Sequence, residues 1–161
     1  MLLRLGSQVF DISNTALVVA PVDASTTAAG EAQRFVDLGA DAIEVYGEPG
    51  QLGSAVAAVN QMVDVPVLVR DATDGGVEDV VTAPAHSLTK IAALAQAGKA
   101  VRLEVGTDDG VAGLIVGAVM AGARLIVTSD VRMARRTITT TAELLKRRGV
   151  KSASEPVLGS N

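Results

Sequence analysis

The sequence contains no cysteine and no tryptophan, and it has only one tyrosine, two phenylalanines and one histidine in 161 residues. The lack of cysteine excludes disulfides, thiolate catalysis and cysteine-ligated metal. The lack of aromatic side chains leaves no stacking platform for single-stranded nucleic acid. A formal net charge of −4 also argues against a nucleic-acid surface, because such surfaces depend on basic patches. We therefore expect no nucleic-acid partner.

Long apolar runs are absent as well. The apolar stretch Val111–Ala123 is shorter than the ~20 residues that a helix needs to cross a bilayer. The opening segment carries Arg4, Gly6 and Gln8, so it has no signal-peptide core. We expect no membrane partner and a cytoplasmic protein, and we predict that the apolar stretch forms a buried helix.

Small and aliphatic residues are abundant instead. Hydrophobic residues make up 48% of the chain, and there are 16 glycines, so the core must be built from Ala, Val, Leu and Ile. The length fits one domain. We predict a single domain over residues 1–149 and a flexible tail over residues 150–161, because the end of the chain is Ser-rich.

Apolar periodicity alternates between the spacing of strands and that of helices. A hairpin is predicted first, over Leu2–Ile12 around Gly6-Ser7. The predicted strands are Leu17–Val22, Ala42–Tyr46, Pro66–Arg70, Val77–Ala83, Val101–Val105 and Arg124–Val127. The predicted helices are Thr27–Leu38, Leu52–Val63, His86–Ala97, Val111–Ala121 and Val131–Arg148.

This alternation predicts a parallel sheet covered by helices, connected by right-handed crossovers. A complete eight-stranded (βα) barrel needs roughly 200 to 250 residues, which is more than this chain has. We therefore predict an α/β fold: an abbreviated TIM-barrel-like (βα) repeat of about six parallel strands with an N-terminal β-hairpin.

Three stretches carry a resemblance to a known family. They are FVDLGADAIEVYG at Phe35–Gly47, VPVLVRD at Val65–Asp71, and GARLIVTSDVRMARR at Gly122–Arg136. In order and spacing they resemble the Gly-Ala-Asp, V-P-I-S-V-D-T and closing Arg-x-His-Asp-Val segments of dihydropteroate synthases. Enzymes of that family join a pterin diphosphate to p-aminobenzoate on an eight-stranded barrel. The family's sixth and seventh strands have no counterpart here, and its Ser-Arg-Lys stretch is missing with them.

The resemblance also implies that the family's site positions are altered in this chain. Its first-strand Asn corresponds to Ala20, its final Arg-x-His pair corresponds to Val127 and Ser129, and its third-strand Asp aligns with Arg70. A register slip of one residue would place Asp71 at that last position. The remnant binding positions that we predict are Asp23, Glu44, Arg70, Asp71, Glu78 and Asp130. We predict no catalytic residue and no metal ligand among them.

Arg70 is the most informative of these changes. An arginine in place of the pterin-binding carboxylate offers no acceptor, because its guanidinium is always protonated. Our hypothesis is that Arg70 pairs with Glu44 on the neighbouring strand and fills the former pterin site; alternatively, Arg70 projects into solvent. Tyr46 replaces a glycine of the family pattern, and its ring either blocks a flat ligand or lies on the surface.

Several carboxylates collect near the carboxyl ends of strands, which is where (βα) folds carry their functional rim. They are Glu44, Asp71, Asp79, Glu104 and Asp130. Mg²⁺ prefers such oxygen ligands, and we expect it only if the protein is an enzyme. The alternative is that the carboxylates cap helices, which we predict for Asp108, Asp109 and Asp130. His86 lacks a neighbour with which it could form a nucleophile–base pair.

Arg102 and Glu104 share one face of the fifth parallel strand, so this strand borders either a polar lumen or a sheet edge. Loss of the following two strands would leave an edge, and an uncovered edge invites pairing with another chain. On that basis we expect a homodimer.

The preferred interpretation is a catalytically degenerate dihydropteroate-synthase-like protein with a binding, regulatory or interaction role, for which a full-length synthase is a candidate partner. The alternative is a dihydropteroate synthase or other pterin-binding transferase of folate biosynthesis, with its pocket completed by oligomerisation. A third possibility is a relic without a selected ligand.

Overall fold

The computed structural model describes residues 1–70 and 80–153, with residues 148–153 described as backbone only. Its strands are β1 (Leu2–Leu5), β2 (Gln8–Asp11), β3 (Leu17–Asp23), β4 (Ala42–Tyr46), β5 (Val67–Val69), β6 (Val80–Thr82), β7 (Ala100–Glu104) and β8 (Ala123–Val127). Its helices are α1 (Ala28–Asp37), α2 (Pro49–Met62), α3 (Leu88–Gln96), α4 (Val111–Ala121) and α5 (Val131–Ala153). None of these helices is both long and apolar enough to span a membrane.

Six strands form one parallel sheet in the order β5-β4-β3-β8-β7-β6. The first and last parallel strands, β3 and β8, are therefore neighbours, and they pair from Leu17↔Leu125 to Val19↔Val127. An open sheet whose first and last strands lie side by side at its centre has the cyclic strand order of a barrel. This architecture confirms the predicted abbreviated (βα) fold with an N-terminal hairpin.

Contacts across the sheet show that it is curled. Glu44 on β4 and Arg102 on β7 are separated by β3 and β8, so their strands would lie about 14 Å apart in a flat sheet with a strand spacing of roughly 4.8 Å. Their side chains nevertheless meet at 2.8 Å. The inward face is therefore concave, and side chains from distant strands converge in it.

Two apolar cores follow from the alternation of side chains along each strand. The outward face of the sheet and the helices bury one core around Val18, Ile43, Leu103, Ile115 and Ile126. The inward face buries a second core of small and aliphatic residues, which includes Leu3, Leu5 and Ile12 of the hairpin region. The hairpin thus packs against the base of the curled sheet, and among the described residues of its inward face the charged side chains of Glu44, Arg102 and Glu104 lie towards the carboxyl ends of the strands.

Helix ends show where local signals were misjudged. Helix α2 begins at Pro49 rather than Leu52, because proline suits the first helical position, where its missing N–H costs nothing. Helix α5 continues through Gly149 to Ala153, although we predicted its end at Arg148. A glycine inside a helix costs only about 1 kcal/mol, so Gly149 does not have to stop it. The flexible tail from residue 150 stays a prediction, and residues 154–161 lie outside the described residues.

The predicted sheet edge at the fifth parallel strand is wrong. That strand is β7, and it pairs on both sides, with β6 and with β8. In the described part of the chain, the edges are instead β5 and β6. Because β7 pairs directly with β8, the edge that motivated the expected homodimer does not exist at β7.

Helix α5 is anchored to the loop that follows α1. The guanidinium of Arg135 donates to the carbonyl of Gly39, with an Nε–O distance of 2.9 Å, and pairs with the Asp41 carboxylate. Asp41 also accepts the backbone N–H of Val18 at 2.8 Å. The last helix is thereby tied to the starts of the first two parallel strands.

We expect Arg135→Ala to lower the free energy of unfolding by about 1–3 kcal/mol, because it removes a charge-assisted bond to a carbonyl and leaves Asp41 without its cation. Urea denaturation would measure this loss. Lys90→Ala, which removes an exposed cation from α3, should stay within about 0.5 kcal/mol. Equal losses in the two variants would contradict an anchoring role for Arg135.

Candidate functional site

Four charged side chains converge inside the curled sheet, at the carboxyl ends of its strands. Glu44 lies on β4, Arg70 directly follows β5, and Arg102 and Glu104 lie on β7. The register pairs Glu44 with Leu68, and alternate residues of a strand share a face, so Arg70 follows Leu68 on the inward side. The same alternation turns Arg102 and Glu104 inward together. These four residues are called the charge ring below.

Glu44 is the buried centre of the charge ring, with only 5% of its surface exposed. Nε of Arg70 donates to Oε2 of Glu44 at 3.0 Å, and Nη2 of Arg70 lies 2.9 Å from the same oxygen. Nη2 of Arg102 donates to both carboxylate oxygens at 2.8 Å. A buried carboxylate is tolerated only when it is paired and hydrogen-bonded, and here two guanidinium groups provide that compensation.

Glu104 completes the ring from the solvent side. It accepts from Nη2 of Arg70 at 3.2 Å and lies 3.5 Å from Nη2 of Arg102. Charges therefore alternate around the four residues, and each arginine contacts both carboxylates. Because Glu104 is half exposed, we expect its contacts to contribute much less to stability than those of Glu44.

Arg70 is held as a permanent cation. Partial burial alone would lower the pKa of its guanidinium, but hydrogen bonds and charge from Glu44, together with the charge of Glu104, outweigh that effect and raise the pKa. The guanidinium also lies over the ring of Tyr46, 4.7 Å from the ring centroid. A cation–π contact of this kind fixes the plane of the guanidinium at the mouth of the lumen.

The charge ring is poorly suited to proton transfer. A general base needs a free lone pair within reach of its substrate, whereas the oxygens of Glu44 are occupied by two guanidinium groups. The arginines cannot lose a proton. The arrangement can hold the strands together or exclude a ligand, and it offers no free acid or base in its buried part.

The structure tests the individual hypotheses for this site. The predicted pair between Arg70 and Glu44 is confirmed. Tyr46 lies at the surface, as one alternative held, yet its ring covers Arg70. Asp23 is exposed at the end of β3. The predicted positions Asp71 and Glu78, like Asp79, lie outside the described residues.

The capping predictions are only partly right. Asp130 accepts the backbone N–H of Met133 at 3.1 Å and so caps α5 as predicted. The residue before helix α4 is instead Gly110, whose backbone is in the left-handed region, and no side chain caps the start of the helix. The capping roles predicted for Asp108 and Asp109 are therefore wrong. His86 is exposed in the turn before α3, away from the charge ring.

Arg102 and Glu104 are the site residues that motif comparison did not select. Their signal was the polar inward face of an otherwise apolar strand, which predicted either a lumen or an edge. Because β7 pairs with a strand on each side, its polar face borders the lumen and not a sheet edge. Within residues 1–70 and 80–153, no three or more His, Asp or Glu side chains are grouped so that they could hold a metal ion.

Comparison with known proteins gives a likeness in structure only. No family model matches the sequence, and no curated protein sequence matches it. A dihydropteroate synthase from Yersinia pestis superposes with a TM-score of 0.74 and 14% identity, over 91% of this chain and 99% of that chain. One from Thermus thermophilus, in complex with 6HMPPP, has a TM-score of 0.72 and 16% identity, over 90% of this chain and 99% of that chain.

This chain has the dihydropteroate synthase fold. A third structure, the Xanthomonas albilineans synthase with 4-aminobenzoic acid, agrees, with a TM-score of 0.72 and 12% identity over 89% of this chain and 97% of that one. The alignments extend over nearly the whole of each synthase, although this chain is too short for a full (βα)₈ barrel. The direct pairing of β7 with β8 is what the loss of two intervening strands would produce.

Proposed function

We propose that this protein is a non-catalytic relative of dihydropteroate synthases, with a binding, regulatory or interaction role. The observation that supports this proposal is the charge ring at the end of the sheet where (βα) folds carry their sites. The resemblance implies that an acidic side chain of the third parallel strand binds the pterin. In the register without a one-residue slip to Asp71, the corresponding side chain is Arg70, and it is bonded to Glu44.

A flat heterocycle could enter this lumen only by displacing the ring. Glu44 would then lose one or both of its guanidinium partners while remaining in an apolar surrounding. Breaking a buried ion pair in this way costs several kcal/mol, and a ligand would have to supply that energy from its own contacts. Tyr46 adds a further obstacle, because its ring and the Arg70 side chain stack at the mouth of the lumen.

The protein would therefore act through its outer surface rather than through its lumen. A full-length dihydropteroate synthase and a second copy of this chain are the partners that we consider, in the cytoplasm and with a link to folate biosynthesis. No metal ion is needed for such a role, since no substrate diphosphate has to be held.

Calorimetric titration of the purified protein with a pterin, a pterin diphosphate and p-aminobenzoate would test the proposal. We expect no saturable heat with any of the three, because each ligand would first have to break the ion pairs of the charge ring. A full-length synthase titrated with the same solutions controls for the quality of the ligands. Incubation with both substrates should give no pteroate above the background without enzyme, and the gene should not rescue a strain that lacks the synthase.

Two results would overturn the proposal in different ways. Saturable pterin binding without turnover would identify a pterin-binding module whose ring opens. Turnover or rescue would identify a synthase, the alternative in which oligomerisation completes the pocket. In the second case, activity should rise more than linearly with protein concentration.

A further inference from the structure

A second group of polar side chains lies at the base of the sheet, at the end opposite to the charge ring. The loop after β2 leads into the start of β3, and α5 runs back from the carboxyl end of β8, so its later turns reach the same end. An open cavity of about 390 Å³ lies between this loop and α5. Its volume is within the range of small-molecule sites in proteins. It is called the base cavity below.

The lining of the base cavity is almost entirely polar. Seven of the eight residues that line it carry polar side chains, and the exception is Ala142. On α5 the lining residues Thr139, Ala142, Glu143 and Lys146 are three, four and seven residues from the first of them, so they share one face of the helix. A helix normally turns an apolar face towards the body of its protein. Here a polar face remains available for water or a ligand.

Two carboxylates of the base cavity are held in the charged form. Oδ1 of Asp11 accepts the backbone N–H of Ser13 at 3.0 Å and its hydroxyl at 2.6 Å, and it lies 3.9 Å from the terminal ammonium of Met1. The bonds from Ser13 lower the pKa of Asp11. Nζ of Lys146 donates to Oε1 of Glu143 at 2.9 Å, which lowers the pKa of Glu143. Each carboxylate keeps its second oxygen free of hydrogen bonds from the residues that the structure describes.

Asn14 and Thr139 add uncharged hydrogen-bonding groups to the same lining. Within residues 1–70 and 80–153, neither side chain has a hydrogen-bond partner. An amide offers donors and an acceptor, and a hydroxyl offers both as well. The neighbouring Thr140 differs, because its hydroxyl donates to the carbonyl of Arg136 at 3.0 Å. The base cavity therefore presents unpaired donors and acceptors beside charges of both signs.

We propose that the base cavity binds a free α-amino acid with a small or polar side chain. Its ammonium group binds the open oxygens of Asp11 and Glu143, and its carboxylate binds Lys146 and the amide N–H groups of Asn14. A ligand with a charge of one sign would leave the opposite part of the lining unpaired. A large apolar side chain would gain little, because no aromatic or branched aliphatic residue is among the described residues of the lining.

The loop wall of the base cavity is fixed before any ligand arrives. Nη2 of Arg124 donates to the carbonyl of Ser13 at 3.3 Å, in addition to the two bonds between Ser13 and Asp11. A wall that is already ordered reduces the entropy that binding costs. The proposal goes beyond the proposed function, since the base cavity and the charge ring lie at opposite ends of the sheet and a closed lumen leaves the base cavity unchanged.

A nuclear magnetic resonance titration of the ¹⁵N-labelled full chain with glycine, serine, asparagine and glutamine would test the proposal. We expect saturable shifts of the amide signals of residues 13–15 and 139–146 with at least one of the four, and a dissociation constant on the order of 1 mM. Ethanolamine lacks the carboxylate and glycolate lacks the ammonium group. Each should bind at least about tenfold more weakly, because one set of charge-assisted hydrogen bonds is lost.

Paired variants test the assigned residues. Lys146→Gln should weaken binding by about tenfold or more, whereas Lys90→Gln on α3 should leave it within about twofold. Thr139→Val removes a hydroxyl with little change of shape and should weaken binding by roughly threefold to tenfold, whereas Thr140→Val should not weaken it. The amide spectrum of each variant shows whether it is folded. Absence of saturable shifts with all four amino acids, equal binding of ethanolamine or glycolate, or unchanged binding by Lys146→Gln and Thr139→Val would each overturn the proposal.

Discussion

Glu44→Ala should lower the free energy of unfolding by about 2–4 kcal/mol. Removing one partner of a buried ion pair costs about 3–5 kcal/mol, because the remaining charges stay desolvated without compensation. The estimate is reduced here because Arg70 and Arg102 keep 28% and 15% of their side-chain surface exposed, so water can partly solvate them once Glu44 is gone. Urea denaturation with a linear extrapolation would give the difference.

The charge ring supplies its own control. Glu104 contacts the same two arginines, but its side chain is 50% exposed, so Glu104→Ala should cost less than about 1 kcal/mol. Both variants remove one carboxylate and the same number of charges, and they differ in the burial of that carboxylate and in the length of its contacts with the arginines. If Glu44→Ala lowered the free energy of unfolding no more than Glu104→Ala, the conclusion that Glu44 is the buried centre of the charge ring would be refuted.

Gly122→Ala should destabilise the protein by about 2–5 kcal/mol. Gly122 ends α4 with φ +111°, a conformation that side chains other than glycine rarely adopt. A Cβ atom at this position would lie 2.4 Å from the Cβ of Ala95 on α3. The variant would combine backbone strain of about 1–2 kcal/mol with a steric overlap that only a shift of one helix can relieve, at about 1–3 kcal/mol.

A glycine without these constraints provides the comparison. Gly53 lies inside α2, and a Cβ there would meet nothing within 4 Å. Gly53→Ala should therefore stabilise the protein by about 0.5–1 kcal/mol, since alanine favours the helix. Thermal unfolding of both variants would show opposite shifts of the midpoint. A neutral Gly122→Ala would mean that α3 and α4 can separate at no cost.

Much of the fold could be predicted from the sequence because its signals are local. The bounds of β4 and α4 agree with the predictions residue by residue, since a short apolar strand and a helix between glycines are each defined by their own residues. Predictions failed where two local signals competed, as at Pro49 and Gly149. The predicted strand Val77–Ala83 was observed as β6 over Val80–Thr82, with residues 77–79 outside the described residues.

The site was predictable only in part, for a related reason. Glu44 lies on β4 and Arg70 directly follows β5, the next strand in the chain, so their pairing could be predicted from register alone. The participation of Arg102 and Glu104 could not, because it depends on how far the sheet curls. Sequence left two alternatives for β7, an edge or a lumen, and both are compatible with the same alternation of polar and apolar residues.

The sequence by itself determined which residues form strands and helices, and which side chains of each strand share a face, because both properties repeat over a few neighbouring residues. Only the tertiary structure decided that β8 lies between β3 and β7, and that the charges on β4, on β7 and directly after β5 therefore meet in one ring. Strand order and curvature arise from pairing between segments that are about a hundred residues apart in the chain, and no local pattern records that distance.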